Sequence, residues 1–250
     1  MAGKRGGTRG GKPDARSVRG GGGVVRLRTG KGRTTSQTNW LRRQLRDPYV
    51  IAAQRDGLRS RAAFKLIELD DRFHFLKKGA RVVDLGAAPG GWSLVAVERV
   101  GSLEADGKGG RIVAIDLQEM EPIPGVEILH LDFLADEAPE RLRAALGGLA
   151  DVVMSDMAAP ATGHTQTDHL RIMGLLDAAY HFARTVLAPG GAFIGKVLRG
   201  GTERELLEML KRDFAEVKHV KPPASRKDSA EIYVIAMGFR GGEDAEDAKA

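Results

Sequence analysis

Four ionisable residues occupy places where charge is costly or where a strand would deliver it to a cleft: Lys65, Asp156, Lys196 and Glu231. Lys196 lies inside AFIGKVL, a run apolar enough to be covered on both faces, and a lysine there is costly unless it is paired or working. Asp156 closes VVMSD, Glu231 opens EIYVIAMGF, and Lys65 sits in the helical pattern around AAFKLIEL. Lysines and acids gathered at one edge could align a hydroxyl nucleophile and ease removal of its proton. An in-line displacement, such as methyl transfer from a sulfonium, needs that help. Each residue also has a plainer reading. Asp156 could cap a helix, Lys196 could snorkel from a strand end, and Lys65 and Glu231 could be ordinary solvated charges.

A second constellation is VVDLGAAPGGWS (82–93), a strand running into a glycine turn and then a helix. Glycine allows main chain to approach a ligand closely, and the crevice beyond a strand's carboxyl end is the usual binding place in open α/β sheets. A dinucleotide fingerprint is absent because Ala88 stands where the second glycine belongs, and no phosphate-binding lysine follows the turn. An adenosine cofactor without phosphates fits better. Asp116, closing the second apolar strand, could accept from both ribose hydroxyls, and Asp132, closing the third, could take the adenine amino proton. The plainer reading of both acids is again a helix cap. Trp92 could pack on the cofactor or be core, and the sequence leaves this open.

The elements that must position these residues follow from periodicity. Helices are expected at Ser36–Gly57, with Pro48 a kink or stop, and at Ser60–Phe73. Strands are expected at Arg81–Leu85, Arg111–Leu117, Val126–Leu131, Asp151–Ser155, Ala192–Leu198, Glu216–Lys221 and Glu231–Phe239. Gly91–Val100 and Asp168–Leu187 read as crossover helices, the latter ended by the turn Ala188-Pro189-Gly190-Gly191. Nearly continuous apolar strands such as VVDL and IVAID indicate a parallel sheet covered on both faces, so the class is α/β, doubly wound. The last two strands lack a helix-length connection and should form an antiparallel excursion at the sheet edge.

The net charge of +6 is unevenly placed. Residues 1–33 carry ten Lys/Arg against Asp14 alone, the last ten carry four acids against Lys249, and the body between is balanced. The expected organisation is a disordered basic Gly/Arg-rich arm (1–35), a single domain (36–240) opening with a helical segment (36–78), and an acidic disordered tail (241–250). The arm could follow a phosphate backbone, or be a solvated terminus without a partner. Arg59, Arg61, Lys65, Arg199, Arg226 and Lys227 could form a cationic rim contacting phosphates, or be scattered surface charge. No run approaches the length of a membrane span, and no apolar stretch near the amino terminus resembles a secretory signal, so a cytoplasmic location is expected. With no cysteine and six scattered histidines, metal chemistry is not expected.

The segments RSRAAFKL (59–66), VVDLGAAPGGWS (82–93), VVMSDMA (152–158), LAPGGAFIGKV (187–197) and SAEIYVIAMG (229–238) resemble the FtsJ family of RNA 2'-O-ribose methyltransferases, in order and with matching spacing from about Trp40 to Arg240. The resemblance implies a Rossmann-like class I methyltransferase fold with a seven-stranded, mostly parallel sheet and helices on both faces. It implies S-adenosyl-L-methionine as cofactor, contacted by Gly90, Trp92, Asp116, Asp132 and Asp156. Its catalytic Lys-Asp-Lys-Glu set falls on Lys65, Asp156, Lys196 and Glu231, with Lys196 as general base. For the bacterial ribosomal branch it implies a uridine in the A-loop of large-subunit (23S) ribosomal RNA, within the large ribosomal subunit, and a monomeric enzyme. The chain departs from the commoner pattern after Asp156, where Met-Ala-Ala-Pro-Ala delays the proline by one residue.

Overall fold

The computed structural model describes residues 45–104, 108–159, 162–199 and 204–241. The basic arm, the first part of the helix expected from Ser36 and nearly all of the acidic tail lie outside the described residues. The chain runs α1 (Pro48–Arg55), α2 (Ala62–Phe73), β1 (Arg81–Leu85), α3 (Gly91–Val100), β2 (Arg111–Asp116), β3 (Val126–His130), α4 (Ala138–Leu146), β4 (Ala150–Ser155), α5 (Thr165–Val186), β5 (Leu187–Leu198), α6 (Arg204–Asp213), β6 (Phe214–Val220) and β7 (Glu231–Phe239).

The seven strands form one sheet in the order β3-β2-β1-β4-β5-β7-β6. Pairings from β3 across to β5 are parallel, and β7 is antiparallel to both β5 and β6. The antiparallel excursion expected from the short final connection is therefore present, with β7 inserted between its two neighbours. Strand alternation sorts the core. Val82, Ile112, Val152, Ile194, Tyr233 and Ile235 face one layer with α1, α2 and α3. Val83, Val113, Val153, Phe193 and Val234 face the other, with α4, α5 and α6. Each such side chain contributes roughly 1.5–3 kcal/mol on burial, so a sheet covered on both faces holds the strand ends in fixed register.

The break expected at Pro48 is present: helix at residues 45–46 is interrupted at Asp47, and α1 starts anew with Pro48 at the first-turn position, where its missing N–H is not needed, the Asp47 side chain accepting from Tyr49 N at 3.0 Å as the cap. Other local expectations are corrected. The turn at residues 188–191 lies within β5, as an irregularity where the pairing with β4 shifts between Ala150 and Val152. Two helices carrying the far layer, α4 and α6, are absent from the sequence reading because each is short and its apolar residues are broken up by charges. Among the described residues no helix is long and apolar enough to cross a membrane.

Candidate active site

The parallel strands β1, β2, β3 and β4 deliver their carboxyl ends to one edge of the sheet, and a cleft of about 920 Å³ opens there. Its lining includes Gly86 and Ala88 from the glycine turn, Asp116 and Leu117 after β2, Asp132 to Leu134 after β3, and Asp156 to Ala159 after β4. The charged side chains of this lining are three aspartates and Arg171. Glycine is required at two points of the turn. Gly86 has φ +74°, and a Cβ there would stand 2.6 Å from Met157 Cγ; Gly90 has φ +100°, and its Cβ would meet Ile123 Cδ1 at 2.6 Å. Main chain thus lies bare against the cleft and the strands.

Asp116 is half-buried at the end of β2, one carboxylate oxygen accepting from Ala88 N at 2.9 Å and the other from Gln118 N at 2.7 Å. It ties the turn to the strand end and keeps lone pairs toward the cleft. Asp132 is exposed, two residues beyond β3, and accepts from Leu134 N at 2.9 Å. Both acids make local loop bonds and both line the cleft, so the capping and binding readings coexist. Gly90 caps α3 beside the cleft, and Trp92 is buried core. The indole Nε1 of Trp92 donates to Ala62 O at 2.9 Å and its ring packs 5.6 Å from that of Tyr233.

At the next strand ends toward β7, the four residues singled out first come together although they span 166 positions of sequence. Lys196 is buried and donates to Asp156 O at 2.6 Å, with its Nζ also 3.0 Å from Asp156 Oδ1. Lys65, also buried, donates from α2 to Glu231 Oε2 at 3.1 Å. Between these pairs stands Tyr233, fully buried. Its hydroxyl donates to Asp156 Oδ1 at 2.6 Å and accepts from Lys65 Nζ at 3.1 Å. The result is one continuous chain, Glu231, Lys65, Tyr233, Asp156, Lys196. The sequence reading missed Tyr233, yet a partial signal was present, since it lies two residues beyond Glu231 in a strand and hence on the same face; the β5–β7 register that stands it opposite Lys196 comes only with the fold.

The electrostatics fix the charge states of the acids. Burial alone would raise the Asp156 carboxyl, but Lys196, Lys65 and the Tyr233 hydroxyl outweigh it and hold the group below the usual range. Glu231 is likewise raised by burial and then lowered past its ordinary value by Lys65 and Lys196. Burial and the adjoining Asp156 push the Tyr233 hydroxyl well above its ordinary value, so it stays a neutral donor.

The expected cationic rim is largely committed to the fold. Arg59 donates to the carbonyls of Pro89, Glu121 and Pro122 at 3.2, 2.7 and 2.9 Å, tying the glycine turn to the segment after β2. Arg61 pairs with Asp47 and donates to Ala224 O, and Arg226 also reaches Asp47 at 3.4 Å. Lys65 belongs to the buried chain above. Arg199 and Lys227 are exposed.

Residues 58–239 match the model of a family described as FtsJ-like methyltransferase. The chain is 62% identical over 221 residues to the ribosomal RNA large subunit methyltransferase E of Paramagnetospirillum magneticum, covering 88% of this chain and 90% of that one. It is 58% identical over 243 residues to the protein of the same name from Parvibaculum lavamentivorans, covering 94% and 96%. Among solved structures it is similar to one described as a ribosomal RNA methyltransferase from Plasmodium falciparum, at 32% identity and a TM-score of 0.64, over 74% of this chain and all of that one.

Proposed function

The chain belongs to the FtsJ-like methyltransferase family, and on that premise we propose that it transfers a methyl group from S-adenosyl-L-methionine to a ribose 2'-hydroxyl of large-subunit ribosomal RNA, at a uridine of the A-loop. The observation that carries this reading is the buried chain from Glu231 to Lys196 at the rim of a cleft with adenosine-type acceptors. The substrate class is supported by relatives at about 60% identity over most of their length, named for large-subunit ribosomal RNA.

The cleft suits such a cofactor. Bare main chain at Gly86 lets a ligand lie against the turn, Asp116 offers acceptors to ribose hydroxyls, and Asp132 offers one to an adenine amino group. Three aspartates against Arg171 favour a ligand with net positive charge. When bound, the cofactor supplies an electrophilic methyl group on a sulfonium. Gly90 and Trp92 act through the turn, Gly90 by its shape and Trp92 by packing behind it.

The protein's part is to present the hydroxyl and remove its proton. For the transfer Lys196, an ammonium in its pair with Asp156, would first give up a proton to solvent; the ribose oxygen would then bond to the methyl carbon as the carbon–sulfur bond breaks, and the hydroxyl proton would pass to the freed Lys196 amine. Asp156, anionic throughout, is the counter-ion of the ammonium that forms. Lys65, anchored by Glu231 and Tyr233, places a second positive charge on the far side of Asp156 and keeps the carboxylate aimed. We place the enzyme in the cytoplasm as a monomer, where its ribosomal substrate is found.

Labelled S-adenosyl-L-methionine offered with large ribosomal subunits, free ribosomal RNA and transfer RNA tests the reading by mapping the methylated nucleotide. The expected product is a 2'-O-methyluridine in the A-loop; methyl on transfer RNA alone would replace the substrate assignment. Lys196→Ala should lower single-turnover methyl transfer by about 10²–10⁴-fold with cofactor binding intact. Near-normal turnover of that variant would remove Lys196 as the base.

A further inference from the structure

Asp84, next to the carboxyl end of β1, is absent from the mechanism above and has no cation beside it among the described residues. It is fully buried, with one carboxylate oxygen accepting from Ser93 Oγ at 2.6 Å and the other without a hydrogen-bond partner. The charged groups facing it are two acids of the cofactor cleft. Asp156 approaches from the end of β4, its N donating to Leu85 O at 3.2 Å. Asp116 approaches from the end of β2, holding Ala88 N at 2.9 Å. From α3 it meets the neutral Ser93 residue, through its hydroxyl and its main-chain N–H. An ionised carboxylate in that setting would lack solvent, lack a counter-ion and have two like charges nearby. Burial first, then Asp156 and Asp116, push the Asp84 carboxyl up to about 7, against the lowering by Ser93.

We propose that Asp84 is protonated while the cleft is empty and releases its proton to solvent when a cation settles beside Asp116 and Asp156, which makes proton release part of how the site prefers the sulfonium cofactor to its neutral thioether product. The inference rests on S-adenosyl-L-methionine being the cofactor. The physical cause is mutual neutralisation. The arriving positive charge offsets two carboxylates that had disfavoured ionisation of the third, and by linkage the ionised acid then favours the cation. S-adenosylhomocysteine carries no sulfonium charge and gives Asp84 no comparable reason to ionise. Turnover would thus weaken the hold on the product relative to the next cofactor.

Calorimetric titration of the full chain with each ligand, in two buffers of the same pH and different ionisation enthalpy, counts the protons exchanged. If the sulfonium moves the midpoint of Asp84 down by about one pH unit, then near pH 6.5 about half a proton leaves per S-adenosyl-L-methionine bound. Almost none should leave with S-adenosylhomocysteine. The ratio of the two affinities should rise about sixfold in favour of the sulfonium from pH 5.5 to 7.5. Asp84→Asn should abolish both the difference in proton release and the pH dependence of the ratio. Ser93→Ala, which removes the bond to the ionised form, should move the release to higher pH and serves if the asparagine variant does not fold. Equal proton exchange with both ligands in the unaltered protein overturns the inference while leaving the cofactor assignment standing. Failure of both ligands to bind overturns the assignment itself, and the inference with it.

Discussion

Tyr233→Phe isolates the group that joins the two lysine-acid pairs into one unit. The substitution removes a single buried oxygen, which donates to Asp156 at 2.6 Å and accepts from Lys65 at 3.1 Å. A hydrogen bond to a charged group contributes about 1.5–3 kcal/mol, so two lost independently would cost about 3–6 kcal/mol. The structure argues for a loss below that range. Asp156 keeps Lys196 at 3.0 Å and Lys65 keeps Glu231 at 3.1 Å, so neither charge is left alone, and the phenyl ring retains its packing on Trp92. A loss of about 2 kcal/mol is expected, which for a chain of this size lowers Tm by about 4–8 °C. Methyl transfer should fall further than binding, by about 10–100-fold, because Asp156 loses the donor that aims it at Lys196. The same loss should raise the Asp156 carboxyl, so the acid limb of the rate profile moves to higher pH. Urea unfolding and single-turnover transfer to large ribosomal subunits measure the two effects. Stability within 0.5 kcal/mol of the parent together with an unchanged rate would refute the continuous chain as a working unit.

Three further outcomes follow from the same geometry. Gly90→Val places a branched side chain at φ +100° and against Ile123. It should cost about 1–3 kcal/mol and weaken cofactor binding more than stability, measured by calorimetry and thermal unfolding. Asp84 has a folded pKa of about 7 against about 4 unfolded. Its contribution is present at low pH and is lost as pH rises between those values, because the unfolded chain gives up the proton first. Asp84→Asn is neutral throughout, so its stability relative to the parent should improve by about 3 kcal/mol between pH 5 and pH 8; an equal difference at both pH values would contradict this. Lys227→Gln should reduce the salt slope of ribosomal RNA binding by about one. Arg59→Gln should leave that slope nearly unchanged and weaken cofactor affinity, since its guanidinium is held by three carbonyls.

Chain order alone carried much of the fold. The apolar runs of β1, β2 and β4 have no polar alternation to offer, and such strands are stable only with helices on both faces, so an α/β sheet was legible before any coordinate. Gly91–Val100 and Glu231–Phe239 were bounded correctly because a glycine turn and a charged residue mark their starts. The cleft acids were legible for the same reason: Asp116 and Asp156 end apolar strands, and strand ends in such sheets face the crevice. Lys196 stood out because a lysine in a doubly covered strand needs a partner.

Which partner it has was decided only by tertiary structure. Period-two alternation tells which residues share a face of one strand, but not which strand lies alongside. Only the insertion of β7 between β5 and β6 sets Tyr233 opposite Lys196. Lys65 reaches Glu231 because α2 packs over that face, a contact with no local signal in either segment. The same holds for charges the sequence could only count. Arg59, Arg61 and Arg226 look like a cationic rim in a linear reading, yet they are bound to carbonyls and to Asp47. Composition determines how much charge a chain carries and periodicity which face a residue takes. Packing alone decides which charges are neutralised, because that depends on distances between segments remote in the chain.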